Sequence, residues 1–314
     1  MSYDFEDLIK KGRLSDEENE YIYRQKRLFE YYASNAKPQD QPIAVIIGGQ
    51  PGTGKSTIVG RFRHTFKHSG VVHIDSDELR PFHPLQKKQD AINDRLTAVY
   101  TGKDAGIWAQ KLMNDAVARR LNIIFESPLK NTEKILRQVD MLTSNGYLVD
   151  LKVAIVPYDL SLLGAYSRYE KPKAKGGYGR FVHNKPLRNC YQSQTVTVEA
   201  IQRQGKVSSI EIYSREGLIY KGDYRTTDLK HIIIAEQQRR FTSEEETKLK
   251  NRWREVGQMM LDRGAEIREF LRLEKQLNDR ITECIDESYP TENIQLLIDI
   301  KNNFSQQFRL AITE

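Results

Sequence analysis

Eight consecutive residues, Gly49-Gln50-Pro51-Gly52-Thr53-Gly54-Lys55-Ser56, constrain this chain more than any other feature. They satisfy the Walker A pattern, in which glycines let successive backbone N–H groups wrap a chain of phosphates. Such a loop works only where a buried strand gives way to a helix. The uninterrupted apolar run Ile43 to Ile47 ends at Gly48 and Gly49, and a helix is expected from about Lys55. Lys55 is then placed to reach the β and γ oxygens of a nucleoside triphosphate, ATP or GTP, and the Ser56 hydroxyl to bind Mg²⁺. Thr57 completes the nucleotide-binding set on the first helical turn.

Further short apolar runs at Val71 to Ile74, Asn122 to Phe125 and Val153 to Val156 alternate with helix-length segments at 104 to 120 and 132 to 144. Alternation of this kind implies βαβ units and a parallel sheet. A late strand, turn and strand is expected over Ile210 to Tyr213, Ser214 to Gly217 and Leu218 to Tyr220. The predicted fold class is α/β: a P-loop kinase-like parallel sheet flanked by helices, with N-terminal helices and a C-terminal helical hairpin.

Residues 4 to 35 read as two short helices separated by Gly12, the second started by a capping box of Ser15 and Glu18. Its aromatic face, Tyr21, Ile22, Leu28, Phe29, Tyr31 and Tyr32, is expected to pack on a core. It could instead lie across the nucleotide pocket. Beyond Thr242, apolar residues from Leu249 to Cys284 follow three- and four-residue steps, predicting one long amphipathic helix; Pro290 ends it and another starts at Thr291, giving an antiparallel hairpin or small bundle. The expected divisions are 1–40, a kinase domain over 41–235, and a helical region over 236–314.

No stretch approaches the roughly 20 apolar residues of a membrane span, and the N-terminus, with Asp4, Glu6 and Asp7, lacks signal-peptide character. A soluble, cytoplasmic protein is expected. Cys190 and Cys284 have no metal-binding or redox spacing. The formal charge of +6 is concentrated: Arg168 to Cys190 holds seven Lys/Arg against one acid, Glu170. So local a cluster suits a small anionic ligand at least as well as nucleic acid, which usually wants a broader positive face; a solvated charged loop is the alternative.

A P-loop alone does not separate a kinase from other nucleotide users, so its neighbours must. The strand after the P-loop helix runs into Asp75-Ser76-Asp77. A carboxylate there lies near the γ-phosphate and can take a proton from an attacking hydroxyl. Asp77 is the candidate base, while Asp75 fits a helix cap. Glu126 closes the third strand and points to the same rim. Arg168 and Arg180 bracket the basic segment, whose Gly176, Gly177 and Gly179 give it the flexibility of a lid that could bring an arginine to a transferring phosphoryl group.

The P-loop run from Gly48, Ile74-Asp75-Ser76-Asp77, His83-Pro84, Arg168-Tyr169-Glu170 and Tyr213-Ser214-Arg215-Glu216-Gly217, in that order, resemble the zeta toxins of bacterial toxin–antitoxin systems over roughly residues 43 to 220. The resemblance implies a kinase that phosphorylates the 3′-hydroxyl of the amino sugar in UDP-N-acetylglucosamine and is restrained by a small helical antitoxin. It implies Asp77 as base, Lys55 as phosphate lysine, Arg168 and Arg180 on the transferred phosphate, and Asp115 and Glu126 as acids that hold the sugar nucleotide. Zeta toxins commonly follow this glutamate with Gly-Thr-x-Arg, whereas here Ser127-Pro128-Leu129-Lys130 follows. Lys130 could still meet a phosphate. Another hydroxylated metabolite as acceptor, a polynucleotide end kinase and a non-enzymatic nucleotide-binding module remain the competing readings.

Overall fold

The computed structural model describes residues 4–286 and 289–313. Six strands form one sheet in the order β2-β3-β1-β4-β5-β6. They are β1 (Ile43–Gly48), β2 (Val72–Ile74), β3 (Ile123–Ser127), β4 (Leu148–Ala154), β5 (Ser209–Tyr213) and β6 (Leu218–Lys221). The first five run parallel, and β6 turns back antiparallel on β5 with a register shift at Ile212/Tyr213. Because Gly48 is in register with both Ser127 and Val153, the carboxyl ends of β1, β3 and β4 share one rim.

The strand expected over Val153 to Val156 is β4, and it begins earlier, at Leu148. Its charged residues hid it. Lys152, buried at 2% exposure, pairs across the sheet with Glu211 at 3.3 Å and along its own strand with Asp150 at 3.7 Å.

Helices cover both faces: α4 (Lys55–Thr65), α5 (Ser76–Leu79), α6 (Gln86–Ala118), α7 (Thr132–Ser144), α8 (Tyr158–Lys173), α9 (Asn184–Gln204) and α10 (Leu229–Gln238). The segment expected at 104 to 120 is the lower part of the longer α6, which is kinked where Asn93 leaves helical geometry (φ −163°, ψ 90°).

The N-terminal helices are α1 (Phe5–Gly12), α2 (Asp16–Gln25) and α3 (Leu28–Ala33). Both hydrogen bonds of the Ser15/Glu18 capping box form. The second expected helix is divided at Arg27, which adopts a left-handed conformation (φ 48°). These helices pack on α6. A Cβ at Gly12 would sit 2.2 Å from the Tyr100 carbonyl. The buried carboxylate of Asp104 accepts from Leu14 N (3.1 Å), Asn19 Nδ2 (2.9 Å) and the Arg13 guanidinium. Tyr23, Leu28 and Phe29 join the main core beside Trp108, whereas Tyr21 and Tyr31 face solvent. Among the described residues no hydrogen bond or ion pair runs from α1–α3 to the P-loop.

The single long helix expected from Leu249 to Cys284 is broken, because Gly264 takes φ +67° and reverses the chain. Three helices result, α11 (Ser243–Asp262), α12 (Ile267–Asp286) and α13 (Thr291–Thr313). Their apolar stripe is core: Trp253, Val256, Met260 and Phe270 pack with Tyr166 and Tyr169 of α8. Two ion pairs fasten the bundle to that helix. Arg263 donates to both Glu170 oxygens at 2.6 and 3.1 Å, and Arg280 to Asp159 at 2.9 Å. A buried pair of this kind is costly to break, since the partner is left as an uncompensated charge. The bundle therefore anchors α8, which carries Arg168 to the rim.

Candidate active site

The P-loop is seated against α8. A Cβ at Gly52 would lie 2.3 Å from the Ser161 carbonyl, so only glycine fits there, and its φ of +85° independently favours glycine. The Ser161 hydroxyl donates to Pro51 O at 2.6 Å. Arg215, from the turn after β5, donates to Gly52 O at 2.9 Å and Leu160 O at 2.8 Å, stapling loop to helix. Sequence reading had used Arg215 as a motif residue without a role.

Lys55 opens α4, and its ammonium donates to Gly49 O (2.6 Å) and Gln50 O (3.1 Å) inside the loop. Burial pushes its pKa down, with Glu126 opposing. Ser56 and Thr57 are exposed beside it. No cluster of three or more His, Cys, Asp or Glu that could hold a metal occurs among the described residues. Mg²⁺ at a phosphate site does not call for one, since phosphate oxygens and water supply most of its ligands. The exposed Ser56 hydroxyl is thus a fitting protein ligand.

The two aspartates after β2 separate by environment. Asp75 caps α5, accepting from Asp77 N at 2.8 Å; burial, then the charges of Asp77 and Glu126, push its pKa up to about 6. Asp77 meets Arg80 at 2.7 Å and Arg180 at 2.8 Å. Burial would raise its pKa, but Arg80, Arg180, Arg168 and Lys55 together hold it below the ordinary aspartate value. Arg168 completes this cationic ring. Its buried Nε has no hydrogen-bond partner, and burial followed by repulsion from Arg180 lowers its pKa to about 10. Arg80 was missed by sequence reading, though it stands one helical turn beyond Asp77.

Glu126 projects from β3 to the same rim and pairs with His73 Nε2 of β2 at 2.9 Å. Burial would lower the His73 pKa, yet the hydrogen bonds to Glu126 and Glu78 raise it to about 9. Since this folded value exceeds the ordinary histidine value of 6.5, the stability that His73 confers is complete below about pH 6.5 and lost as pH rises through about 9. Comparing the melting temperatures of the wild type and His73→Gln from pH 6 to pH 10 checks this: the gap should close at the alkaline end.

Asp115 is corrected. It lies in the last turn of α6, next to the amino ends of the strands, where its carboxylate accepts from the Tyr23 hydroxyl at 2.5 Å. Its neighbour Ala116 accepts from Tyr147, which precedes β4. A helix descending from the rim must deliver its carboxyl end to the opposite side of the sheet, so Asp115 cannot join Asp77 and Glu126.

Toward the rim, α6 presents two glycines. Gln138 of α7 donates to Gln110 at 3.4 Å, so the stripe of α6 containing Gln110 faces α7. One and two turns nearer the rim this stripe is Gly106 and Gly102. A Cβ at Gly106 would meet nothing within 4 Å, and one at Gly102 only Arg80 Nη2, at 3.7 Å. Lys103, Lys130 and Lys134 are exposed and near enough to one another to interact: burial and then the charges of Lys130 and Lys103 lower the Lys134 pKa. Among the described residues, none of the three has a carboxylate partner.

A parallel sheet whose central strand ends in this phosphate loop, with an aspartate and three arginines opposite, defines a P-loop kinase-like fold. Residues 29–225 match the family model described as Zeta toxin. The chain belongs to the zeta toxin family. It is 32% identical over 137 residues to toxin PezT of Streptococcus pneumoniae serotype 4 (strain ATCC BAA-334 / TIGR4), covering 43% of this chain and 53% of that protein. With toxin zeta of Streptococcus pyogenes it shares 23% identity, over 77% of this chain and 84% of the other. A solved chain of the PezAT chromosomal toxin–antitoxin system of Streptococcus pneumoniae superposes with a TM-score of 0.65 at 22% identity, over 78% of this chain and 98% of that one. The AvrRxo1-ORF1:-ORF2 complex gives 0.51 at 14% identity, over 80% and 85%. No described helix is long and apolar enough to cross a membrane.

Proposed function

We propose that this chain is an ATP-dependent kinase acting on a hydroxyl of a phosphate-bearing acceptor, UDP-N-acetylglucosamine or a related sugar nucleotide. One observation carries this reading: Asp77 sits among Arg80, Arg180, Arg168 and the P-loop lysine, Lys55. An acceptor whose phosphates met the exposed Lys103, Lys130 and Lys134 would present an alcohol to Asp77. There Asp77 takes the hydroxyl proton as the oxygen attacks the γ-phosphorus and the bond to the ADP oxygen breaks. Lys55, Arg168 and Arg180 hold the phosphoryl oxygens as charge develops on them. Mg²⁺, which Ser56 would help hold, would supply further charge neutralisation. Use of ATP agrees with the AvrRxo1 complex, which has also been solved with ATP.

Purified protein with ATP and Mg²⁺ should phosphorylate UDP-N-acetylglucosamine but not free N-acetylglucosamine. Replacing both Lys130 and Lys134 with alanine should raise KM for the sugar nucleotide about tenfold with little change in kcat, the behaviour of binding energy shared by ground and transition states. Equal use of the neutral sugar would overturn the reading. If phosphorylation occurred on polynucleotide ends, and binding fell by orders of magnitude between low and moderate salt, the acceptor would be nucleic acid instead.

The family relationship supports toxin activity in the cytoplasm, restrained by a small helical antitoxin over the nucleotide pocket. The PezAT structure comes from a toxin–antitoxin system, and AvrRxo1-ORF1 was solved in complex with AvrRxo1-ORF2. Because α1–α3 pack on α6, deletion of residues 1–40 should impair folding and not release a brake.

A further inference from the structure

The segment between α8 and α9 carries Arg180 to Asp77, and its glycines suggest mobility, yet it is tied down at one point. That point is the kink in α6. Where Asn93 breaks the helix, Asp94 turns inward and is buried at 8% exposure. One Asp94 oxygen accepts from the Tyr169 hydroxyl at 2.7 Å. The other accepts from the backbone N–H of Gly179 at 3.3 Å and lies 3.2 Å from the Lys173 ammonium. Gly179 is the residue immediately before Arg180. It is pressed so close that a Cβ there would stand 2.1 Å from the Tyr169 carbonyl.

The next residue of the kink adds a second tie. The Arg95 guanidinium lies 3.7 Å from the Phe181 ring centroid, and His183 Nε2 meets the Arg95 carbonyl at 2.9 Å. Residues on both sides of Arg180 are therefore held by the same two positions of α6. A guanidinium fixed at its own backbone in this way reaches the phosphoryl position without first being ordered, which lowers the entropic cost of the transition state. A regular helix through Asn93 could not offer this, because the Asp94 side chain reaches the segment only where the chain departs from the helical path.

From these contacts we infer that Asp94 is a positioning residue, which sets Arg180 over the transferred phosphoryl group by holding the backbone of Gly179. The inference rests on the phosphotransfer reading above. It concerns a residue that touches neither nucleotide nor acceptor.

The test compares affinity for ADP alone with affinity for ADP plus aluminium fluoride, a mimic of the phosphoryl group in transfer, and so needs no knowledge of the acceptor. Asp94→Asn should weaken binding of the aluminium fluoride complex about tenfold while leaving ADP affinity within about twofold. In an Arg180→Ala background the same change should have no further effect, because residues acting through one another are not additive. Tyr169→Phe, which removes one Asp94 hydrogen bond and keeps the ring, should show a smaller loss with the same dependence on Arg180. It serves if Asp94→Asn does not fold. Additive losses, or no loss, in these variants would overturn the role of Asp94 alone. If Arg180→Ala itself left aluminium fluoride binding unchanged, the phosphoryl-holding role of Arg180 would fall, and that of Asp94 with it.

Discussion

Asp77→Asn should lower acceptor phosphorylation by about 10³-fold, within the range expected for loss of a general base. ATP affinity should be unchanged or improved. The second half of this expectation comes from the geometry. Asp77 neutralises Arg80 and Arg180, which pair with it at 2.7 and 2.8 Å, and it also offsets Arg168. Removing its charge leaves these guanidiniums free for a triphosphate. The same pairing holds the carboxylate below its ordinary pKa, a poor state for a base. A γ-phosphate that competed for these arginines would raise the proton affinity of Asp77. Isothermal titration with a non-hydrolysable ATP analogue, beside a turnover assay, checks both parts. Weaker nucleotide binding would show that Asp77 positions the arginines instead of competing for them, and undiminished turnover would assign the base elsewhere.

Lys55→Ala should abolish detectable phosphotransfer, with a loss of about 10²–10³ or more from the missing charge on the phosphate oxygens. It should also weaken ATP binding strongly. The fold should survive. Lys55 is part-buried with no carboxylate hydrogen-bonded to it, and burial depresses its pKa, so its charge does little to stabilise the folded state. Deleting it leaves only Gly49 O and Gln50 O without that donor, at a loop open to water. A melting temperature equal to or above that of the wild type, together with lost ATP binding, is the expected pair of results. Collapse of the fold would mean that the ammonium stabilises the loop by more than its burial costs.

Much of this arrangement could be read before folding was considered. The strand, loop and helix around Lys55 are contiguous, and each element is set by its own residues: the apolar run of β1, the glycines and the helix start. The capping box of Ser15 and Glu18 was legible for the same reason. Asp75 was separable from Asp77 because capping is local, and the structure places its carboxylate on the backbone of Asp77. Where longer-range packing decides, pattern reading failed. The strand expected over Val153 to Val156 extends back through Lys152, whose buried charge is satisfied by Glu211 of the neighbouring strand. Gly264 sits in an amphipathic stripe that is continuous in sequence but folded back in space. Asp115 aligned plausibly with a substrate ligand, yet the length of α6 carries it to the wrong end of the sheet.

The sequence by itself determined the phosphate-binding loop, the parallel sheet that delivers it and the carboxylate opposite, because those depend on residues a few positions apart and on the periodicity of strands and helices. Only the tertiary structure decided that Arg80, Arg168 and Arg180 gather at Asp77 and that Asp94 holds Gly179. Charges converge from distant parts of the chain only when buried helices are packed in one arrangement. That arrangement is set by the whole core and not by any segment of it.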